Sequence, residues 1–352
     1  MSKITDITEY KKCYGGVTLA ERMEECRTSA LSIALIENYE ISSVYTHGVK
    51  RKTKKDKIDA NTLFQAASIS KPVFAVAVMR LVEQGTLDLD ADIAEYLVDF
   101  DIPVYGGRRY KITLRQILCH YAGLNLHGFA GYPQNQKIPT PEQILKGELP
   151  ANSLKLELIA EPGTSFSYSG GGYVLAQKIV TDVCKREFND IMCDLVFTSF
   201  SMTRSSYLQP LPHERLGEIT FGYNAYNLQI PGGYNIMPEL SAAGLWTTPS
   251  ELAIFGIEIM RALRGGSALL KKNTAELMTV KVYEDSPTGL GFFTSETKKG
   301  PAFGHSGSNV GYRSNMCFCP GDGTGVVVMQ NSDIGQRLIG EVTQAFKEVY
   351  DW

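Results

Sequence analysis

Ser68 and Lys71 are residues whose types and spacing could do chemistry. They stand three apart in Phe64-Gln65-Ala66-Ala67-Ser68-Ile69-Ser70-Lys71-Pro72-Val73, at the head of an apolar run that ends in Val82-Glu83-Gln84-Gly85. Residues three apart on a helix share a face, so the hydroxyl and the ammonium can meet. A serine hydroxyl is a weak nucleophile until a neighbouring base or charge activates it. A helix N-terminus adds partial positive charge, which favours a developing anion. The chemistry on offer is attack by Ser68 on an acyl group. The motif is short, and a capping serine beside a solvated lysine is the plainer account of it taken alone.

Tyr168 is presented by a polar loop, Glu161-Pro162-Gly163-Thr164-Ser165-Phe166-Ser167-Tyr168, and three glycines after Ser169 open a helix. A phenol close to an ammonium can act as a base, because the positive charge favours phenolate. A packed turn tyrosine is the alternative. The glycines form neither G-x-G-x-x-G nor a Walker pattern, which argues against a phosphate cradle. Late in the chain, Gly304-His305-Ser306-Gly307-Ser308 sits between two expected strands. Gly307 would allow close backbone approach. A residue on an edge strand there can pair with an extended substrate and donate its N–H to an oxyanion. Ser306 as an elbow nucleophile is disfavoured, because the register is one residue out for G-x-S-x-G and a strand follows. His47, His120, His127 and His213 share no ligand spacing, His120 reads as a core residue of its helix, and neither metal nor cofactor is expected.

The elements that must position these groups follow from periodicity. Residues 1–30 read as helical, with Leu19, Met23 and Cys26 on one side. Leu31 to Ile36 and Ile41 to Thr46 read as a hairpin closed at Glu37-Asn38-Tyr39-Glu40. The Ser68 helix runs to Gly85, with Pro72 confined to its first turn. Helices are expected from Leu87 to about Leu97, from Thr113 to His120 with Thr113 as cap, and from Gly172 to Arg186. The Gly- and Pro-rich loop from Asn125 to Pro141 and the region from Tyr207 to Pro238 are expected to set specificity. Thr248-Pro249-Ser250-Glu251 opens a helix to about Arg264. Strands follow at Leu290 to Thr294, Ala302 to Ser306, Arg313 to Cys319 and Gly325 to Gln330, and Arg337 to Tyr350 closes the chain as an amphipathic helix. Strands at both ends with helices between give an α+β fold, a central antiparallel sheet flanked by helices with an inserted, mostly helical lobe. Its domains are 1–84 with 240–352, and 85–239, with the site between them.

Composition narrows the class. The chain has 352 residues, 43% of them hydrophobic and 21% charged, with a net charge of -3. That is ordinary for a globular protein and gives no reason to expect nucleic acid or an anionic membrane. Seven cysteines without metal-like spacing read as free thiols of a reducing compartment. No apolar stretch suits a signal peptide or a membrane span, so the expected location is cytoplasmic, or periplasmic or secreted if an export signal has been removed. Oligomeric state is left open.

Taken together, S-x-x-K, then Tyr168-Ser169-Gly170, then His305-Ser306-Gly307 resembles the serine β-lactamase and penicillin-binding-protein superfamily. It is most similar to the class C β-lactamase-like branch of esterases, D-aminopeptidases and DD-carboxypeptidases. Leu114-Arg115-Gln116-Ile117-Leu118-Cys119-His120-Tyr121-Ala122-Gly123-Leu124 resembles that branch's L-R-x-L-L-x-H-x-S-G-L stretch, and the likeness covers roughly residues 20–350. The resemblance implies the β-lactamase/transpeptidase fold, with Ser68 as acylated nucleophile, Lys71 as its proton partner and Tyr168 as general base. It also implies an oxyanion hole from the N–H groups of Ser68 and Ser308. His305 would take the place of the K-T-G lysine, with Ser306, Gly307, Ser169 and Gly170 beside the substrate. Two departures matter. Tyr168-Ser169-Gly170 lacks the asparagine of Tyr-x-Asn, and His305 is a poorer partner for a carboxylate than an ammonium. Hydrolysis of an ester or small amide is therefore expected. A β-lactamase or a peptidase of D-Ala or other D-amino-acid peptides is the first alternative, and a non-catalytic binding or sensing module the second.

Overall fold

The computed structural model describes residues 14–352, so the part of the expected N-terminal helix before residue 14 lies outside the described residues. Helix α1 (Leu19–Glu25) is closed by a capping box between Thr18 and Glu21. Strands β1 (Ala30–Glu37) and β2 (Glu40–Gly48) form the expected hairpin. Asn38 and Tyr39 at its tip both have positive φ, 52° and 64°, the backbone that a tight two-residue turn demands. After β3 (Phe64–Gln65) comes α2 (Ser70–Glu83). The middle of the chain supplies α3 (Leu114–Leu118), α4 (Pro141–Lys146), α5 (Gly170–Cys184), α6 (Phe188–Met192) and α7 (Leu240–Ala243). Then follow β4 (Trp246–Thr247), α8 (Pro249–Leu263), α9 (Lys272–Thr279), β5 (Phe293–Thr297), β6 (Gly300–Asn309), β7 (Tyr312–Cys319), β8 (Thr324–Gln330) and α10 (Gln336–Tyr350).

The six long strands form one antiparallel sheet in the order β2-β1-β8-β7-β6-β5. Strand β1 pairs with β8, joining residues near opposite ends of the sequence. Both faces of the sheet are covered, which is why β1 and β8 read as continuous apolar runs. Leu31, Ile33, Leu35, Val326 and Val328 pack against α1 and α10 through Met23, Leu338, Val342 and Phe346. Ala30, Ala34, Ile36, Val327 and Met329 point the other way, into the larger core that α8 and α2 share. Helix α2 is buried on every side from Ser70 to Met79, as a helix apolar all round must be. No helix among the described residues is long and apolar enough to cross a membrane.

Three expectations fail locally, the first being the helical reading up to residue 30, of which the described residues keep only Leu19–Glu25. The helix expected from Leu87 to Leu97 is only a short 3-10 turn, Ile93–Glu95. The aspartates that made the stretch look like a helix start instead bond their own backbone. Asp88 accepts from Asp90 N–H (2.8 Å) and Asp92 from Ala94 N–H (3.1 Å). Such Asx turns compete with helix. The strand expected at Leu290 to Thr294 begins at Phe293, because Leu290 and Phe292 are buried coil running through Gly291 at φ 102°.

Candidate active site

Ser68 lies on a 3-10 turn, Ala67–Ile69, immediately before α2, and its side chain is half-buried. Ala67 has φ 52°, a left-handed backbone that an alanine seldom adopts. The surroundings hold it there. Ser70 Oγ donates to Ala67 O (2.5 Å) and accepts from Leu245 N–H (3.0 Å), and Ser314 Oγ donates to Ala66 O (2.8 Å). Strand β6 runs so close that a Cβ on Gly307 would stand 2.2 Å from Ala66 O and 2.3 Å from Ser314 Oγ. Only glycine fits.

Lys71 is 2% exposed. A buried ammonium is costly unless it is paired. Its Nζ donates to Ser68 Oγ at 3.2 Å and to Ala242 O of α7 at 2.9 Å. The rings of Tyr168 and Tyr173 face it at 4.9 and 5.7 Å from their centroids, a favourable setting for a desolvated cation.

Tyr168 is gripped by His120. Ser167 N–H donates to His120 O (2.8 Å), and Ser169 N–H donates to His120 Nδ1 (3.1 Å). The imidazole also lies against the Tyr168 ring, with centroids 4.2 Å apart and planes at 33°. His120 thus bonds the residues on both sides of Tyr168 and packs on the tyrosine between them. Burial, reinforced by the charge on Lys71, holds its pKa well below the usual histidine value, so it stays neutral and its Nδ1 can accept. The expectation of a core histidine is met as to burial and incomplete as to role. No local spacing reveals the grip, because it joins residues about 50 positions apart.

His305 is 4% exposed. Its Nδ1 lies 2.6 Å from Ser306 O, and a carbonyl only accepts, so the proton is on Nδ1. Nε2 is buried with no hydrogen-bond partner. Burial first, then the charge of Lys71, pushes its pKa down to about 3. His305 therefore presents a neutral imidazole, not a cation, at this point of β6. The expected edge strand is also found. Strand β5 pairs with β6 only as far as Gly304, so residues 305–309 of β6 have β7 on one side and no strand on the other.

A cavity of about 520 Å³ joins these parts, lined by Ser68, Tyr168, His305, Ser306, Gly307 and Ser308 among the expected residues. His127, Gly128, Phe129, Phe166, Phe293 and Gln336 complete it, and none of these described lining residues carries a formal acidic or basic group apart from the imidazoles. Lys71 lies beneath Ser68. Ser169 and Gly170 do not line the cavity. Ser169 is the N-cap of α5, its Oγ accepting from Gly172 N–H (2.9 Å) and donating to Asn125 O, and Gly170 is buried against the chain at His127. Of the two expected specificity regions, residues 127–129 reach the cavity, whereas no residue from 207 to 238 lines it. Instead Tyr207 is a buried strut whose hydroxyl donates to Ser70 O (2.8 Å). No group of His, Cys, Asp and Glu among the described residues could hold a metal ion. The six cysteines among the described residues are unpaired.

The motif-bearing turn, the buried lysine and the tyrosine loop against a six-stranded antiparallel sheet define a chain of the beta-lactamase family, to which this protein belongs: the Beta-lactamase family model matches residues 18–345. Among curated proteins, Protein flp of Staphylococcus aureus (strain N315) is 25% identical over 225 residues, covering 62% of this chain and 41% of its own length. The chain therefore spans less than half of that relative. Among solved structures, the octameric penicillin-binding protein homologue from Pyrococcus abyssi aligns with TM-score 0.78 and 22% identity over 96% of this chain and 77% of its own. The D-amino acid amidase from Ochrobactrum anthropi SV3, complexed with L-phenylalanine amide, aligns with TM-score 0.75 and 21% identity over 98% of both chains. Both share the β-lactamase/transpeptidase fold.

Proposed function

We propose that this chain is a serine hydrolase that transfers the acyl group of an uncharged ester or small amide through a covalent ester on Ser68. The observation that carries the reading is the buried Lys71 ammonium 3.2 Å from Ser68 Oγ, with the Tyr168 ring against the same ammonium. Ser68 Oγ attacks the carbonyl carbon while its proton passes to Tyr168, the general base of this reading. The carbonyl oxygen becomes an oxyanion held by the N–H groups of Ser68 and Ser308. As the intermediate collapses, the bond to the leaving group breaks and Tyr168 returns the proton to it. Water then gives a proton to Tyr168 and attacks the ester carbonyl, and as the bond to Ser68 Oγ breaks Tyr168 returns that proton to Oγ, releasing the acid and regenerating Ser68. His305 shapes the cavity as a neutral group. Residues 85–239 act in this reading as an inserted helical domain that carries Tyr168 to the sheet domain of 1–84 and 240–352.

Electrostatics support an uncharged substrate. Among the described residues, neither an acidic residue for an ammonium nor a cationic side chain for a carboxylate lines the cavity. This weighs against β-lactams and peptides with a free C-terminal carboxylate, and against amino-acid amides bearing a charged amine. The decisive experiment measures hydrolysis of a chromogenic short-chain ester and a chromogenic cephalosporin by wild type and Ser68→Ala. Ester turnover lost in Ser68→Ala, with slow cephalosporin turnover, is expected. Rapid cephalosporin turnover would put the β-lactamase reading first, and ester turnover surviving in Ser68→Ala would remove the nucleophile. Labelling at Ser68 by an acylating probe excludes a binding relic.

A further inference from the structure

Three phenylalanines from separate segments, Phe129, Phe166 and Phe293, line the cavity, and each is only half-buried. Phe293 lies parallel to Tyr168 at 6.2 Å (20° between planes) and edge-on to Phe166 at 6.4 Å. The segment bearing Phe129 is tied to the start of α5. Gly170 N–H donates to His127 O (3.3 Å) and Gly171 N–H to Leu126 O (3.0 Å). A Cβ on Gly170 would meet Phe129 Cε2 at 3.0 Å and His127 O at 3.2 Å, both tighter than ordinary contact. The absent side chain at Gly170 and the phenylalanine in the cavity wall are one arrangement: the glycine lets the 126–129 segment close over the helix start and bring an aromatic ring beside the reacting groups.

From this we infer that Phe129, Phe166 and Phe293 form a subsite for a flat, uncharged aromatic acyl group, and that Phe129 is a specificity-determining residue whose place depends on Gly170. The inference rests on the proposed Ser68 acyl transfer for its kinetic form. Half-open rings gain by covering one another with apolar surface, and aromatic pairs add a geometric preference. A carboxylate or ammonium on the acyl group would be desolvated there without a partner.

Three p-nitrophenyl esters test it: acetate, phenylacetate and the hemisuccinate, whose acyl group carries a carboxylate. Wild type is expected to prefer phenylacetate to acetate by roughly tenfold or more in kcat/KM, and to disfavour the hemisuccinate. The phenylacetate-to-acetate ratio is expected to fall severalfold in Phe129→Ala, less in Phe129→Leu, and also in Gly170→Ala, where the new methyl displaces the ring. Equal handling of the acetyl and phenylacetyl esters, or a preference for the hemisuccinate, overturns the inference while leaving the serine hydrolase intact. A second measurement is independent of catalysis: calorimetric binding of phenylacetamide to Ser68→Ala, with and without Phe129→Ala. Binding weakened severalfold by Phe129→Ala supports the subsite even if no ester is turned over, an outcome that would sink the proposed reaction alone. Binding that is absent, or indifferent to Phe129, removes the subsite.

Discussion

The two walls of the cavity are built on opposite terms. On the Ser68 wall, polar groups are spoken for by atoms from neighbouring and distant segments. Lys71 Nζ is held by Ser68 and Ala242, the Ser70 hydroxyl by Ala67 and Leu245, and the turn before Ser68 by Ser314. On the facing wall stand phenylalanine rings, a neutral imidazole with an unpartnered nitrogen, and glycines that make room. Hydrogen bonds are directional and fix atoms to within tenths of an ångström, whereas ring contacts are broad and tolerate change. On the proposed reading, the contrast holds the reacting groups rigid and leaves substrate choice to a few side chains.

Substitutions can break that contrast at either wall. The largest expected effect is at the nucleophile side, where Ser68→Ala or Lys71→Ala should lower kcat on esters by about 10³-fold or more, measured by initial rates under saturating substrate. Gly307→Ala should come next. Its methyl has no space between Ala66 and Ser314, so a loss of about 1–3 kcal/mol in denaturant unfolding is expected together with a fall in kcat. A variant as stable and active as wild type would show that β6 is free to move.

His120 separates holding from packing. His120→Phe keeps a ring against Tyr168 but removes the acceptor for Ser169 N–H, whereas His120→Asn tolerates the left-handed backbone at φ 64° and can offer an oxygen. A drop of about 10-fold or more in kcat with little change in KM, and a displaced limb in the pH–rate profile, are expected for His120→Phe. The loss should be smaller in His120→Asn. Parallel losses of KM and melting temperature alone would make His120 a core residue only.

The smallest effect concerns pH and stability, and two buried groups pull in opposite directions. Glu239 precedes α7, the helix that offers Ala242 O to Lys71, and both its carboxyl oxygens are buried without a partner. Burial raises its pKa from 4.5 to about 8. The unfolded chain releases this proton near pH 4.5 and the folded chain keeps it, so stability is lost as pH rises through that interval. Glu239→Gln should match wild type in melting temperature near pH 4 and exceed it by several degrees at pH 8. His305 works the other way, with its pKa lowered from 6.5 to about 3. The unfolded chain takes up that proton first as pH falls below 6.5, so this contribution is lost toward acid. A Glu239→Gln curve parallel to wild type at every pH would refute the first half.

Much of the frame was legible because it is written locally. Alternating and continuous apolar runs place the hairpin and β6 to β8, Thr248-Pro249 announces α8, and the three-residue spacing of Ser68 and Lys71 survives into a 3.2 Å contact. What was not legible depends on partners far along the chain or on absent atoms. The aspartates at 88 and 92 choose their own backbone over a helix, although the same residue types also start helices. His120 gains its grip only when the Tyr168 loop folds back on it. Gly170 is visible in the sequence, but only the fold shows that Phe129 packs where a side chain on it would stand.

The pairing of β1 with β8 also imposes an order in time. Thr28, Ser29 and Ala30 are bonded to Gln330 and Asn331, so the early hairpin has an open edge until the last strand has been made. At ordinary synthesis rates that interval is roughly 15–60 s. Ser68 and Lys71 leave the ribosome early, yet Ala242, Gly307 and Ser314, which set their geometry, come much later. A nascent chain therefore carries Ser68 and Lys71 without these partners until the later segments are made, and their surroundings are complete only as the sheet closes.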